Sequence, residues 1–342
     1  MHTTRGGGYG DMARHPWVAE AENGIRFGVQ LVVPNDPEAL PRLLETGRWV
    51  EGLGFDAIFI FDHPVLHAEP FVCLSALAAV TERVRLGSTV LCAGYRHPAY
   101  LARLAADLDN LSRGRFILGL GSGWVADEFR SYDIPFGTVR QRQDAFDETL
   151  AIVNGVWGAE PFSFEGRHLR TANTMIEPRP RQQPRPPIMI GGGGEKRTLR
   201  QVAQHADACN VSEPRPDDTP GGFASPADAV RHKFEVLRGH CEDLNRPYEE
   251  ILRTHFTLNL MMASTKAAAE AKRAGVDPSR STSPGTRRSG TAATKAFTPD
   301  EAVAYYQSLV DAGARYFVVQ LDADDRETIE LLATEVMPRI AD

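Results

Sequence analysis

The sequence predicts an α/β protein built as a (β/α)8 TIM barrel with insertions. Three observations carry that prediction. From Ile25 onward, short apolar runs alternate with longer amphipathic ones. The runs that read as strands are apolar nearly throughout, as in a parallel sheet covered by helices. Eight of them fit within 342 residues, and a barrel takes about 250 residues and grows with insertions. A doubly wound sheet shows the same alternation, which by itself does not establish closure.

Residues 1–24 are rich in glycine and charge and lack the apolar core of a secretory signal. They read as a flexible tail, leaving 25–342 as a single barrel domain. Ile25 to Val33 is the first strand. Pro37 to Leu53 then places Leu40, Leu43, Leu44, Trp49, Val50 and Leu53 at helical spacing, with Gly54 as its cap. Phe55 to Phe61 reads as strand two, Pro70 to Val80 as helix, Val84 to Leu91 as strand three and Pro98 to Leu111 as helix. A turn at Ser112 to Gly114 leads into strand four, Arg115 to Leu120. The second half repeats the rhythm. Its strands are Ile188 to Ile190, Ala208 to Val211, Ile251 to Met261 and Tyr316 to Leu321. Its helices are Lys196 to His205, Pro226 to Leu244, Pro299 to Ala312 and Arg326 to Ile340.

Two insertions interrupt the pattern. Residues 159–187 hold six prolines and a hairpin in which Phe162–Phe164 and His168–Thr171 flank Glu165-Gly166. Residues 263–296 are rich in Ser, Thr, Gly and Ala and carry seven basic and two acidic residues, a net +5. A long segment of this kind is a mobile lid or disordered.

Composition narrows the function. With 38 basic and 45 acidic residues, net −7, the chain lacks the basic surplus of a nucleic-acid protein. No apolar run approaches the roughly 18 residues of a membrane span. The four cysteines lie far apart without a CxxC pair, which excludes a disulfide framework and a cysteine-cluster metal site. HExxH, GxSxG and spaced carboxylate sets are absent. The expectation is a cytoplasmic protein with a small-molecule substrate and no metal, and a homodimer is the commonest symmetric assembly.

In a barrel, chemistry sits at the C-terminal ends of the strands. Strand two ends in Asp62-His63-Pro64. His63 at the barrel mouth suits an acid, base or cofactor contact; alternatively, Asp62 caps the next helix and His63 is solvated. Strand three ends in Gly87-Ser88-Thr89-Val90-Leu91, whose small residues admit a ligand or simply pack. Strand four ends in Gly119-Leu120-Gly121-Ser122-Gly123-Trp124, where glycines allow close approach of a ring or phosphate. The spacing is not GxGxxG, so it is no dinucleotide fingerprint. Strand five ends in Gly191, Gly192, Gly193 and Gly194, followed by Glu195-Lys196-Arg197-Thr198 opening a helix. Backbone N–H groups and a helix N-terminus beside Lys196 and Arg197 make this the best phosphate site.

With these residues in order, the chain resembles the luciferase-like monooxygenase superfamily, in its branch using the deazaflavin coenzyme F420. The resemblance runs from about Gly24 to the C-terminus. It is carried by Phe55-Asp56-Ala57 through Asp62-His63, Arg85 to Val90, Gly119 to Trp124, Gly191 to Thr198 and Ala206-Asp207-Ala208. It implies a bacterial luciferase-like barrel with the cofactor ring at the mouth, against a strand-three bulge holding a non-prolyl cis peptide at Thr89–Val90. It implies that Asp62 contacts the ring system and that His63 is the acid/base near the site of hydride transfer. Ser88, Thr89, Val90, Cys92, Ser122, Gly123 and Asp127 match further cofactor contacts, while Gly191 to Gly194, Lys196 and Arg197 would hold the phosphate. Sugar-phosphate dehydrogenases of this branch carry a glutamate where Trp124 stands, which turns the reading away from sugar phosphates and leaves His63 as the main candidate for proton transfer, with Trp124 the other residue named at the catalytic position. Arg96 and His97 line the substrate side or cap the next helix. Two other readings remain: an FMN-dependent monooxygenase of the same superfamily, and a non-catalytic flavin-binding protein on this barrel.

Overall fold

The computed structural model of the protein describes residues 14–32, 37–65, 67–212, 222–276 and 294–342. Its strands in chain order are β1 (Arg26–Val32), β2 (Ala57–Ile60), β3 (Arg85–Ser88), β4 (Leu91–Cys92), β5 (Phe116–Gly121), β6 (Phe162–Glu165), β7 (Arg170–Thr174), β8 (Ile188–Gly191), β9 (Ala208–Ser212), β10 (Leu252–Thr257), β11 (Leu260–Met262), β12 (Lys295–Phe297) and β13 (Tyr316–Asp322). Eight of them, β1, β2, β3, β5, β8, β9, β10 and β13, pair in parallel around a ring, and β13 returns to β1 to close it. Closure removes the sheet edge that a doubly wound arrangement would leave.

The helices α1 (Pro16–Ala21), α2 (Ala39–Gly52), α3 (Pro70–Val80), α4 (Pro98–Leu111), α5 (Ala126–Ser131), α6 (Val139–Val156), α7 (Thr198–His205), α8 (Pro226–Asp243) and α9 (Lys266–Ala274) precede two more, Pro299–Asp311 and Arg326–Leu331. One apolar layer lies between strands and helices; a second fills the barrel. Inside, Phe59 is clasped between β1 and β3: a Cβ on Gly28 would lie 2.7 Å from its ring and one on Gly87 only 2.5 Å.

Several expectations change in detail. Residues 1–13 lie outside the described part, but the rest of the expected tail contains α1. His15 caps that helix by accepting from the Trp17 amide. Trp17 is 1% exposed and meets Tyr316 edge-on at 5.8 Å, so α1 seals the N-terminal end of the barrel. Strand three divides at Thr89-Val90 into β3 and β4. The run Ile251 to Met261 also divides, because Asn259 adopts φ +46°; β11 then leaves the barrel to pair with β12. Helices α5 and α6 were not expected. In α6 the buried residues fall between Phe146 and Val156, leaving a polar first half with little helical signature. The run to Ile340 is helical only to Leu331 and continues as a π turn and a 3-10 turn around Pro338.

The first insertion forms the antiparallel β6–β7 hairpin. In the second, expected as a lid over 263–296, α9 and the start of β12 are described, while residues 277–293 lie outside the described residues. Its described cations are engaged: Lys266 with Glu301, Lys272 with Asp325 and Glu327, Arg273 with Glu270. No helix among the described residues is long and apolar enough to cross a membrane. A cavity of about 310 Å3 opens at the N-terminal end, between Trp17, Arg26, Asp56, Arg83 and Arg115, on the side away from the strand C-termini.

Candidate active site

After the buried residues of β2, the chain continues through Phe61 and turns at Pro64, placing His63 at the barrel mouth. Its Nδ1 lies 2.8 and 2.9 Å from Oε1 and Oε2 of Glu128. The Glu128 side chain is 2% exposed and that of His63 16%. Tyr95 donates its hydroxyl to Glu128 Oε2 at 2.8 Å. Burial, with the neighbouring Cys92 and Glu128, pushes the Tyr95 hydroxyl far above its usual range, so it stays a neutral donor. Trp124, 43% exposed, meets the His63 ring edge-on at 5.9 Å, and Phe61 approaches it at 5.5 Å.

Asp127 was the expected contact on this segment. Consecutive helical residues point about 100° apart, so Asp127 faces solvent and accepts from Arg130 at 2.7 Å, while Glu128 turns inward. The signal for Glu128 was the buried Phe129 beside it, which marks the inner face of a short helix.

Asp62 is held from two sides. It accepts the Cys92 amide at 3.0 Å and the Arg96 guanidinium at 2.6 and 3.2 Å. Arg96 also donates to Glu69 at 2.6 Å, so its cation is already matched by two carboxylates. His97 takes the capping role, accepting from the Ala99 amide at 3.3 Å.

The peptide Thr89–Val90 is cis, at the position the resemblance implied. Val90 forms the floor of the mouth: a Cβ on Gly121 or on Gly191 would stand 2.8 Å from its methyls. The Thr89 carbonyl accepts from Gln30 at 2.6 Å, and Gln30 accepts from Gln320 at 2.6 Å. Ser88 lies within the barrel wall. It is fully buried, donating to the Gly119 carbonyl at 2.9 Å and accepting its amide at 3.0 Å; this hydroxyl binds β3 to β5 within the wall. Cys92 packs under Gly123, where φ is +78° and a Cβ would meet its sulfur at 2.6 Å. Burial pushes this thiol up to about 12, which makes it inert.

At the phosphate-site candidate, Gly192 adopts φ +129° and α7 begins at Thr198. Lys196 is exposed. Arg197 turns to α6, donating to Asp144 at 2.8 Å and Asp147 at 2.6 Å. Ser122 accepts from Gln143 at 3.0 Å, and the Gly123 carbonyl from Arg142 at 3.3 Å. The structure thus brings His63, Trp124, Val90, Ser122 and the Gly191–Gly194 loop around one mouth and turns Asp127 away from it.

Residues 24–308 match the family model for luciferase-like monooxygenases. The chain belongs to that family. An uncharacterized protein of Mycobacterium tuberculosis (strain ATCC 25618 / H37Rv) is 31% identical to this luciferase-like chain over 163 residues, 48% of this chain and 56% of that protein. The chain thus spans little more than half the length of that relative. An F420-dependent glucose-6-phosphate dehydrogenase of Microbacterium testaceum is 28% identical, covering 92% of this chain and 97% of its own. Among solved structures, the coenzyme F420-dependent tetrahydromethanopterin reductase of Methanopyrus kandleri superposes with a TM-score of 0.73 at 20% identity, over 93% of this chain and 99% of that one. A type II Baeyer-Villiger monooxygenase component from Pseudomonas putida, in complex with FMN, superposes at 0.72 and 18% identity, over 93% and 99%.

The mouth of this luciferase-like barrel fits a flat ring with an anionic tail. Glycines at 121, 123, 191, 192 and 194 leave backbone bare where a Cβ would crowd Val90, Cys92 or Thr198. Among the described residues no cluster of histidine, cysteine and carboxylates could hold a metal ion.

Proposed function

We propose that this oxidoreductase uses the deazaflavin coenzyme F420 to move a hydride between the deazaflavin C5 and a small organic substrate, with His63 as acid/base. The observation that carries the reading is His63 itself, held by Glu128 beside Trp124 above the Val90 floor. The full-length similarity to an F420-dependent enzyme supports it.

Asp62, His63, Thr89, Val90, Cys92, Ser122, Gly123 and Trp124 would surround the ring, and Gly191 to Gly194 with Lys196 the phosphate. The deazaflavin supplies a two-electron hydride carrier. The chain's own contribution is placement, exclusion of water and one proton. Val90 backs the ring, Trp124 covers the flank of His63, and His63 gives or takes the proton as the substrate changes oxidation state. Alcohol oxidation and reduction of an activated double bond would use the same residues. Trp124 in place of a carboxylate favours a substrate other than a sugar phosphate.

Titration of the purified protein with F420 and with FMN tests the cofactor. Deazaflavin binding is expected; tight FMN binding without it would replace this reading with a flavin monooxygenase. Replacing His63 with Ala should leave deazaflavin affinity in place and lower turnover by about 10²–10⁴-fold. A protein with no turnover to lose would be a flavin binder.

A further inference from the structure

We infer that Glu128 is a positioning residue that fixes which nitrogen of His63 exchanges the proton, and that Tyr95 holds Glu128 in that role. This rests on the acid/base reading of His63. A carboxylate only accepts hydrogen bonds, so Nδ1 facing both Glu128 oxygens must carry a hydrogen. In the neutral ring the lone pair is then confined to Nε2. Nε2 takes a proton from a substrate, giving an imidazolium whose new N–H is the one that later returns it. The proton moves along one line only, because Nδ1 is committed to Glu128 throughout.

The surroundings leave Glu128 little freedom to do otherwise. It is almost fully buried, and Tyr95 donates to the oxygen that also faces His63. It sits in the first turn of α5, where the helix favours an anion. The groups facing His63 are Glu128 from α5, the Trp124 ring after β5 and the Phe61 ring after β2, with His67 meeting Phe61 edge-on at 4.1 Å. Asp62, adjacent in sequence, is neutralised by Arg96, and the Cys92 thiol is held neutral by burial. Glu128 is therefore the one carboxylate among the described residues that meets this imidazole uncompensated by an arginine. The arrangement follows the logic of a base oriented by a third group, with Tyr95 as a further member.

Nitrogen-15 NMR of histidine-labelled protein without cofactor tests this independently of which cofactor the barrel takes. His63 signals are assigned by their loss in His63→Asn. Wild type should show Nδ1 protonated and Nε2 bare. In Glu128→Ala the tautomer should redistribute toward Nε2–H, and in Glu128→Gln, whose amide can donate as well as accept, both tautomers should be populated. Tyr95→Phe should loosen Glu128 and move the tautomer part of the way in the same direction. In the loaded enzyme, Glu128→Ala should reduce kcat by about 10²-fold with cofactor affinity retained. An unchanged tautomer in both Glu128 variants would overturn the inference. Should Glu128→Ala fail to fold, Glu128→Gln and Tyr95→Phe still decide it. Exclusive FMN binding would overturn the cofactor assignment and leave the tautomer result standing.

Discussion

At the scale of single residues, the mouth is defined as much by missing side chains as by present ones. Gly119 and Gly121 lie two apart on β5, yet their substitution by alanine should act differently. A Cβ on Gly119 would fall 1.8 Å from the Ser88 carbonyl oxygen, which is backbone and cannot turn away. Gly119→Ala should therefore cost about 3 kcal/mol or more, or prevent folding, as read from its melting temperature. At Gly121 the obstacle is a Val90 methyl, which can rotate. Gly121→Ala should fold with a melting temperature near wild type but bind its cofactor more weakly, because Val90 is pushed into the mouth. Equal cofactor affinity in this variant and the wild type would count against Val90 as the floor. The Asp62-His63 pair was legible in sequence because polar residues directly after an apolar strand stand out. Glu128 was not, because its partner lies 65 residues away and its one local sign is the apolar Phe129 beside it.

At the scale of elements, two helices illustrate what periodicity misses. The six residues of α1 are too few to show a period, and its apolar residues make sense only against the barrel floor formed by Ala57, Leu252 and Tyr316. Trp17→Ala removes the largest of them and should destabilise by about 3–5 kcal/mol, measured by denaturant unfolding. A loss under about 1 kcal/mol would mean that α1 is a surface appendage. Helix α6 did carry a readable start, because Thr138 and Gln141 form a reciprocal capping box. Thr138→Ala should cost about 1 kcal/mol and leave cofactor binding unchanged. The barrel helices α3 and α4 were legible to the residue, since proline opens each at its first turn.

Across the whole molecule, buried titratable groups set the response to acid. Burial lowers the pKa of His15 and takes His205 from 6.5 to about 4. The unfolded chain therefore binds protons that the folded one refuses. Their contribution is complete above pH 6.5 and is lost as pH falls, for His205 down to about pH 4. For Asp207 burial opposes charge, but Arg185, 2.5 Å away, and His15 hold the carboxyl below its usual value; its share is present above 3.8 and lost only below. Stability should be level above neutrality and decline by about 1–2 kcal/mol toward pH 4, with a smaller slope in His205→Gln. A denaturant midpoint equal at about pH 7 and 4.5 would refute the assignment. Eight-fold alternation was visible in the chain. Closure was not, because it depends on β13 reaching β1 across almost the whole sequence.

That meeting of first and last strands carries one further consequence. Gln320 on β13 donates to Gln30 on β1, and Gln30 donates to the carbonyl of Thr89 beside the Val90 floor. The seam of the barrel and the shelf beneath the ligand thus share one strut. Anything that settles on Val90 presses, through two amide side chains, on the join that keeps the cylinder shut. Amide protons of β1 and β13 should accordingly exchange with solvent more slowly once the mouth is filled, although no ligand atom would touch either strand. In Gln30→Leu that distant quieting should vanish while the mouth still fills.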